Sequence, residues 1–126
     1  MKKIELLAPA GDLEKLKIAV DYGADAVYFG GEMFSLRAGA GNLSIEEIEE
    51  GVAYAHSKGV RCHMAMNIFA HNEDIEPLRA YLAKIRHIPV DAFIVSDNIS
   101  VQRCAVLDSG FKSTDHNPIM MEFVLE

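Results

Sequence analysis

Short apolar runs alternate along the chain with longer stretches whose apolar positions recur every three or four residues, which predicts strands alternating with helices. Residues 4–8 form the first run, and Pro9 and Gly11 end it. Asp12 is placed to cap a helix carrying Leu13, Leu16, Ile18, Ala19 and Val20 at helical spacing, and Gly23 closes that helix. Residues 26–29 read as a second strand ending in Gly30-Gly31. A long connection to Leu43 follows, holding Arg37, Gly39 and Gly41. Ser44-Ile45-Glu46-Glu47 reads as a capping box, opening a helix that runs to about Ser57-Lys58 and stops at Gly59. Residues 61–67 are the third predicted strand. Asn72 to Asp74 offer caps for a third helix, with Pro77 tolerated in its first turn and Leu78, Tyr81, Leu82 and Ile85 on one face; it ends near His87. Residues 92–95 are the fourth strand, and a fourth helix is expected from Asn98 or Ser100.

Four strand–helix units in series imply an α/β fold with a parallel sheet. The strands, Ala92-Phe93-Ile94-Val95 above all, are continuously apolar, as strands covered on both faces should be. Two architectures fit: an open doubly wound sheet, or part of an eight-stranded barrel. A whole barrel needs roughly 250 residues, so these 126 residues would supply half of one.

Composition narrows the function classes. A net charge of −7 argues against a surface built mainly for nucleic-acid backbones. No run of 18 apolar residues predicts a membrane span, and the apolar run after Lys2-Lys3 is interrupted by Glu5 and Pro9, unlike a signal peptide. Cys62 and Cys104 are too few and too far apart for a disulfide framework or a closed zinc site. They read as small core residues in a reducing, cytoplasmic setting, and no metal site is expected.

In either architecture ligands bind beyond the carboxyl ends of the strands. The groups there are Pro9, Ala10, Gly11 and Asp12; Gly30, Gly31, Glu32 and Arg37; Asn67, His71, Asn72 and Glu73; and Ser96, Asp97 and Asn98. Each also has a plain structural reading. Asp12, Asn72 and Asp97 can cap helices, Gly30 and Gly31 can serve a turn, and His71 can be a solvated loop histidine. His63, inside a strand, reads as packed or barrel-facing. Arg37, a lone cation in a glycine-rich loop, suits a carboxylate or phosphate, which its planar fork binds bidentately. The Rossmann fingerprint, P-loop, zinc-protease motif and nucleophile elbow do not occur.

Five segments together carry a resemblance: Glu5-Leu6-Leu7-Ala8-Pro9-Ala10-Gly11-Asp12; Gly23-Ala24-Asp25-Ala26-Val27-Tyr28-Phe29-Gly30-Gly31; Phe34-Ser35-Leu36-Arg37-Ala38; Asn67-Ile68-Phe69-Ala70-His71-Asn72-Glu73; and Val90-Asp91-Ala92-Phe93-Ile94-Val95-Ser96-Asp97. In this order they resemble the N-terminal half of the collagenase-like peptidase family, over about residues 3–102. Some members of that family are tRNA or ribosomal RNA hydroxylation proteins, and others act in oxygen-independent ubiquinone hydroxylation. The resemblance implies a barrel of the TIM type, with four strand–helix units present here. It implies chemistry better described as prephenate-dependent RNA hydroxylation than as proteolysis. Arg37, Asn67, His71 and Asp97 are then the candidate substrate-binding residues, and Pro9, Gly11, Gly30 and Gly31 shape the loops. Complete relatives would act on RNA or a small anionic substrate. Their iron–sulfur cluster is held by cysteines largely in the second half of the family, so no cofactor is expected on this chain and Cys62 and Cys104 are not assigned to it.

Residues 104–126 depart from that pattern, giving a division into a partial barrel over 1–103 and an unrelated tail, read as a fusion or junction segment. Ser113-Thr114-Asp115-His116-Asn117-Pro118 resembles the Ser-Asp-His-x-Pro motif near the end of the endonuclease/exonuclease/phosphatase family, with Thr114 in place of the usual Ser. Asp115 and His116 would need further metal ligands from distant strands to do that chemistry. They read as a turn before a strand over 119–125. Three functions stay open: the half-barrel of an RNA- or small-acceptor-hydroxylating enzyme, a protease acting on collagen-like or other peptides, or an inactive fragment acting by self-association through exposed strand edges.

Overall fold

The computed structural model describes residues 4–35, 41–96, 99–106 and 119–125, the last two stretches as backbone. The chain divides into two compact units, Met1–Asn67 with Val90–Ile94, and Ile68–Pro89 with Val95–Glu126.

The first unit is built on β1 (Leu7–Pro9), α1 (Leu13–Asp21), β2 (Ala26–Gly30), α2 (Ile45–Ser57) and β3 (Arg61–Met66), and takes in most of β4 (Ala92–Val95). The four strands form a sheet in the order β1-β2-β3-β4. The pairings of β1 with β2 and of β2 with β3 are parallel.

Local chemistry sets the helix ends. Asp12 Oδ1 accepts the backbone N–H of Lys15 at 2.7 Å, satisfying one of the orphan donors of α1. Beyond its other end Gly23 takes φ +94°, a conformation without steric penalty only for glycine. The capping box of α2 is complete: Ser44 Oγ accepts from Glu47 N at 3.2 Å, and Glu47 Oε2 accepts from Ser44 N at 2.9 Å. Gly51 lets the two helices approach, since a methyl group there would stand 2.9 Å from Leu16 Cδ1.

Side-chain alternation divides the sheet into two unlike faces. Ala8, Val27 and Cys62 lie in one row and Phe29 and Met64 in the next. Val27, Phe29, Cys62 and Met64 are fully buried, as are Leu16, Ile48 and Ala55 of the helices. Each large side chain so buried contributes roughly 1.5–3 kcal/mol, so this layer is the core. The other face carries Leu7, Ala26 and Arg61, then Pro9, Tyr28 and His63, then Gly30 and Ala65. Here Leu7 is 45% exposed, and Tyr28 and His63 are half-buried. The expected covering of both faces therefore holds for β2 but not for β4, whose Ile94 is 39% exposed.

The second unit holds a 3-10 turn (Asn72–Asp74), α3 (Ile75–Ile85), β5 (Ile99–Val106) and β6 (Ile119–Leu125). Leu78, Tyr81 and Ile85 form the buried stripe of α3, and Pro77 sits in its first turn. Of the caps offered over Asn72 to Asp74, Asp74 takes the N-cap position of α3, without a side-chain hydrogen bond to that helix. Asn72 lies inside the 3-10 turn, and Asp74 Oδ2 accepts the N–H of His71 at 2.7 Å.

The fourth helix expected from Asn98 or Ser100 is not formed; that stretch is β5. Among the described residues there are therefore three strand–helix units plus a fourth strand. β5 pairs antiparallel with β6, Ile99 opposite Leu125 and Val106 opposite Ile119, with an irregularity between Val101 and Arg103. Ile99 and Val101 alternate with Ser100 and Gln102 before Arg103 breaks the pattern, and the apolar partner strand stabilises the extended form over the helical alternative. That partner, 119–125, is the strand expected from the sequence.

Candidate functional site

Two places in the first unit bring chemically useful side chains together, one at each end of the strands. At the carboxyl ends, the loops after β1 and β2 are built against each other. Ala10 N donates to Tyr28 O at 2.9 Å, and Leu43 N donates to Gly30 O at 3.0 Å, bringing the second loop back to the strand it left. Gly31 and Leu43 form an isolated parallel bridge there. Gly41 takes φ +90°, and a Cβ on it would stand 2.7 Å from Gly11 O, so this contact between the two loops requires glycine. Phe34 is the single non-glycine with positive φ among the described residues, at +62°, a conformation that costs on the order of 1–2 kcal/mol; its ring is 9% exposed.

The same loop lays polar groups over the end of the sheet. A methyl on Gly30 would meet Ser35 Oγ, with Ser35 Cβ at 2.8 Å and Asn42 Oδ1 at 3.0 Å. By alternation that direction is the side of Tyr28, and Tyr28 is in register with His63. Ser35, 5% exposed, and Asn42 thus stand on the face that carries the Tyr28 phenol and the His63 imidazole. A hydroxyl, an amide, a phenol and an imidazole can donate and accept hydrogen bonds to a planar or anionic ligand.

Among the expected rim residues, Pro9 ends β1, Gly30 ends β2 and is buried, and Asn67 follows β3, half-buried. Gly11 and Gly31 make the loop contacts described above. His71 is in the second unit, exposed, with its ring edge-on to Phe69 at 5.5 Å between centroids. In that unit Ser96 Oγ donates to Ile68 O at 2.7 Å. Arg37, Asp97, Asp115 and His116 lie outside the described residues. Tyr28, Ser35 and Asn42 were not singled out from the sequence. The period-two reading that puts Tyr28 and His63 on one face could have found that pair; nothing local marks Ser35 and Asn42.

At the amino ends of the strands, Asp91 precedes β4 and joins β3 to α2. Its Oδ2 accepts the backbone N–H of Cys62 at 2.7 Å and lies 2.8 Å from His56 Nε2. Its own N–H donates to Cys62 O at 2.8 Å. His56 is in the last turn of α2. Burial first, and the Asp91 carboxylate second, push the Cys62 thiol up to about 12. Cys62 is therefore not a reactive thiolate in the protein as it stands. One donor atom from each of the three side chains lies within 4.8 Å of the others.

The residues present do not suffice for the iron–sulfur cluster that the resemblance implies for complete relatives. Such a cluster is held by about four cysteine thiolates, whereas the sequence has two cysteines and Cys62 faces the helix-covered core. Among the described residues no helix is long and apolar enough to cross a membrane.

Residues 11–107 match the model of peptidase family U32. A tRNA hydroxylation protein of Bacillus subtilis is 52% identical over 103 residues, covering 82% of this chain and 24% of that protein. A 23S rRNA 5-hydroxycytidine synthase of Escherichia coli is 38% identical over 95 residues, covering 75% of this chain and 14% of its own length. A collagenase of Porphyromonas gingivalis is 34% identical over 94 residues, 74% of this chain and 23% of that one. The chain thus spans about a quarter of the length of the first curated relatives it matches. A solved U32 peptidase superposes with a TM-score of 0.53 at 15% identity, over 78% of this chain and 44% of the other, a likeness of fold. The chain belongs to the peptidase U32 family.

Proposed function

We propose that this chain forms the first half of a TIM-type barrel in a protein that hydroxylates RNA bases with the help of a small anionic co-substrate. The observation that carries this reading is the 52% identity to a tRNA hydroxylation protein over 82% of the chain. The less covered sheet face supports the barrel: Leu7 is 45% exposed and Tyr28 and His63 are half-buried in this chain, and in a closed barrel they would face the lumen. The polar layer of Tyr28, His63, Ser35 and Asn42 would then lie under the catalytic mouth. Arg37, Asn67, His71 and Asp97 remain the residues proposed to bind the anion, as the resemblance implies. The iron–sulfur chemistry of the complete enzyme would come from outside these residues, and no step is assigned to this chain alone.

A strain lacking the Bacillus tRNA hydroxylation protein tests this reading. It would receive either this chain alone or a chimera in which the chain replaces the matching quarter of that protein. Nucleoside mass spectrometry of the tRNA should show restored hydroxylation with the chimera and none with the chain alone. The relation to a collagenase favours peptide cleavage as the second reading. A chimera that degrades gelatin while leaving tRNA unhydroxylated would replace the first reading with the second.

A further inference from the structure

We propose that His56, Cys62 and Asp91 form a zinc-binding site at the amino ends of β3 and β4, at the opposite end of the strands from the loops that would hold substrate. The three side chains come from three separate elements, and the backbone already holds two of them together. Asp91 N–H donates to Cys62 O and Asp91 Oδ2 accepts from Cys62 N, at 2.8 and 2.7 Å. Because Asp91 Oδ2 also lies 2.8 Å from His56 Nε2, the imidazole stands at the same point. All three donor atoms lie within 4.8 Å of one another. Tetrahedral zinc, with bonds of about 2.0–2.3 Å to nitrogen, oxygen and sulfur, draws its ligand atoms to roughly 3.5 Å apart.

The donor set selects the ion. An imidazole, a thiolate and a carboxylate suit borderline-soft zinc, while calcium and magnesium require oxygen ligands. The charges also close: one thiolate and one carboxylate neutralise one divalent cation, so the bound site carries no net charge next to a buried core. On binding, the sulfur–zinc bond forms, the S–H bond breaks, and the proton leaves to solvent. The His56 and Asp91 side chains are about one-third exposed, at 32% and 33%, so solvent reaches the ion and water takes the fourth position. Bound there, zinc would pin the end of α2 to the starts of β3 and β4.

Cobalt titration of the untagged, reduced 126-residue chain tests the proposal. One equivalent of Co2+ should produce a near-ultraviolet sulfur-to-cobalt charge-transfer band that one equivalent of Zn2+ abolishes. The Cys104→Ser variant leaves Cys62 as the sole thiol and the site untouched, so it should keep the band. Cys62→Ser should lose it and weaken Co2+ binding at least tenfold. Zinc at about a hundred times its dissociation constant should raise the thermal midpoint by about 5 °C or more in the natural chain and not in Cys62→Ser. Absence of a charge-transfer band in both the natural chain and Cys104→Ser would overturn the site. So would binding that Cys62→Ser leaves unchanged, which would mark surface histidines as the ligands.

Discussion

Asp91 and Cys62 are joined twice, backbone to backbone at 2.8 Å and side chain to backbone at 2.7 Å. Removing the carboxylate leaves the Cys62 N–H and the His56 imidazole without that acceptor. Hydrogen bonds to charged groups contribute about 1.5–3 kcal/mol. With a chelator present, Asp91→Ala should therefore lower the stability of the chain by about 2 kcal/mol in urea titration, and Asp91→Asn by less. An unchanged midpoint for Asp91→Ala would mean that this junction carries no stability.

The raised Cys62 thiol sets a pH dependence with a definite sign. Its ordinary value is 9.0 and its value in the fold is about 12. Between those limits the folded chain keeps a proton that the unfolded chain loses. The contribution is thus intact below pH 9 and declines as the pH rises through the window. Metal-free chain should lose stability more steeply between pH 9 and 11 than Cys62→Ala does, by up to a few kcal/mol. Parallel slopes in chemical denaturation at the two pH values would contradict the burial of this thiol.

Ser44 is expected to behave as a true cap. Its Oγ accepts from Glu47 N and its own N–H is held by the Glu47 carboxylate. Ser44→Ala should cost about 1 kcal/mol in equilibrium unfolding, and Ser44→Asp much less, since aspartate also caps.

Gly23 and Gly41 share a positive φ, +94° and +90°, yet differ in surroundings. A methyl on Gly23 meets nothing within 4 Å, whereas one on Gly41 stands 2.7 Å from Gly11 O. Gly23→Ala should cost about 1–2 kcal/mol for the conformation alone. Gly41→Ala should cost more, because backbone must move, and should also separate the loops after β1 and β2. Equal losses in thermal unfolding would deny that contact.

In the chimera that tests the proposed function, Arg37→Ala should weaken binding of the anionic co-substrate at least tenfold while the thermal midpoint stays within about 2 °C. A fork that grips an anion contributes through charge-assisted hydrogen bonds. An unchanged affinity would remove Arg37 from the site.

Much of the first unit was legible from the chain because its signals are local. Asp12 and Ser44 cap the helices they were expected to cap, and Gly23 and Gly59 follow the ends of α1 and α2. The apolar run Ala26-Val27-Tyr28-Phe29 is a strand, with Gly30 as its last residue. The first strand was less legible. It was expected over residues 4–8 and is Leu7–Pro9, a short outer strand whose pairing with β2, not its own composition, sets its limits. Pro9, Gly11, Gly30 and Gly31 were named for their place at strand ends, and they lie at the ends of β1 and β2 or in the loops that follow. The Ser35–Asn42 layer was not named, because it depends on where a long loop closes. The His56–Cys62–Asp91 cluster was likewise hidden, its members lying in α2, in β3 and before β4.

The sequence by itself determined the alternation of strand and helix as far as β4, the caps of α1 and α2, the membership in the U32 family and the list of groups at the strand ends. These rest on spacing, capping chemistry and motif order, which act over a few residues or are read directly. Only the tertiary structure decided that residues after Asn98 form a strand, since an antiparallel partner thirteen or more residues away outweighs a weak local preference for helix. Only it set Tyr28 beside His63 and brought one carboxylate, Asp91, against both a buried thiol and an imidazole. Sheet register and loop closure fix such neighbours, and neither is written in any short stretch of chain.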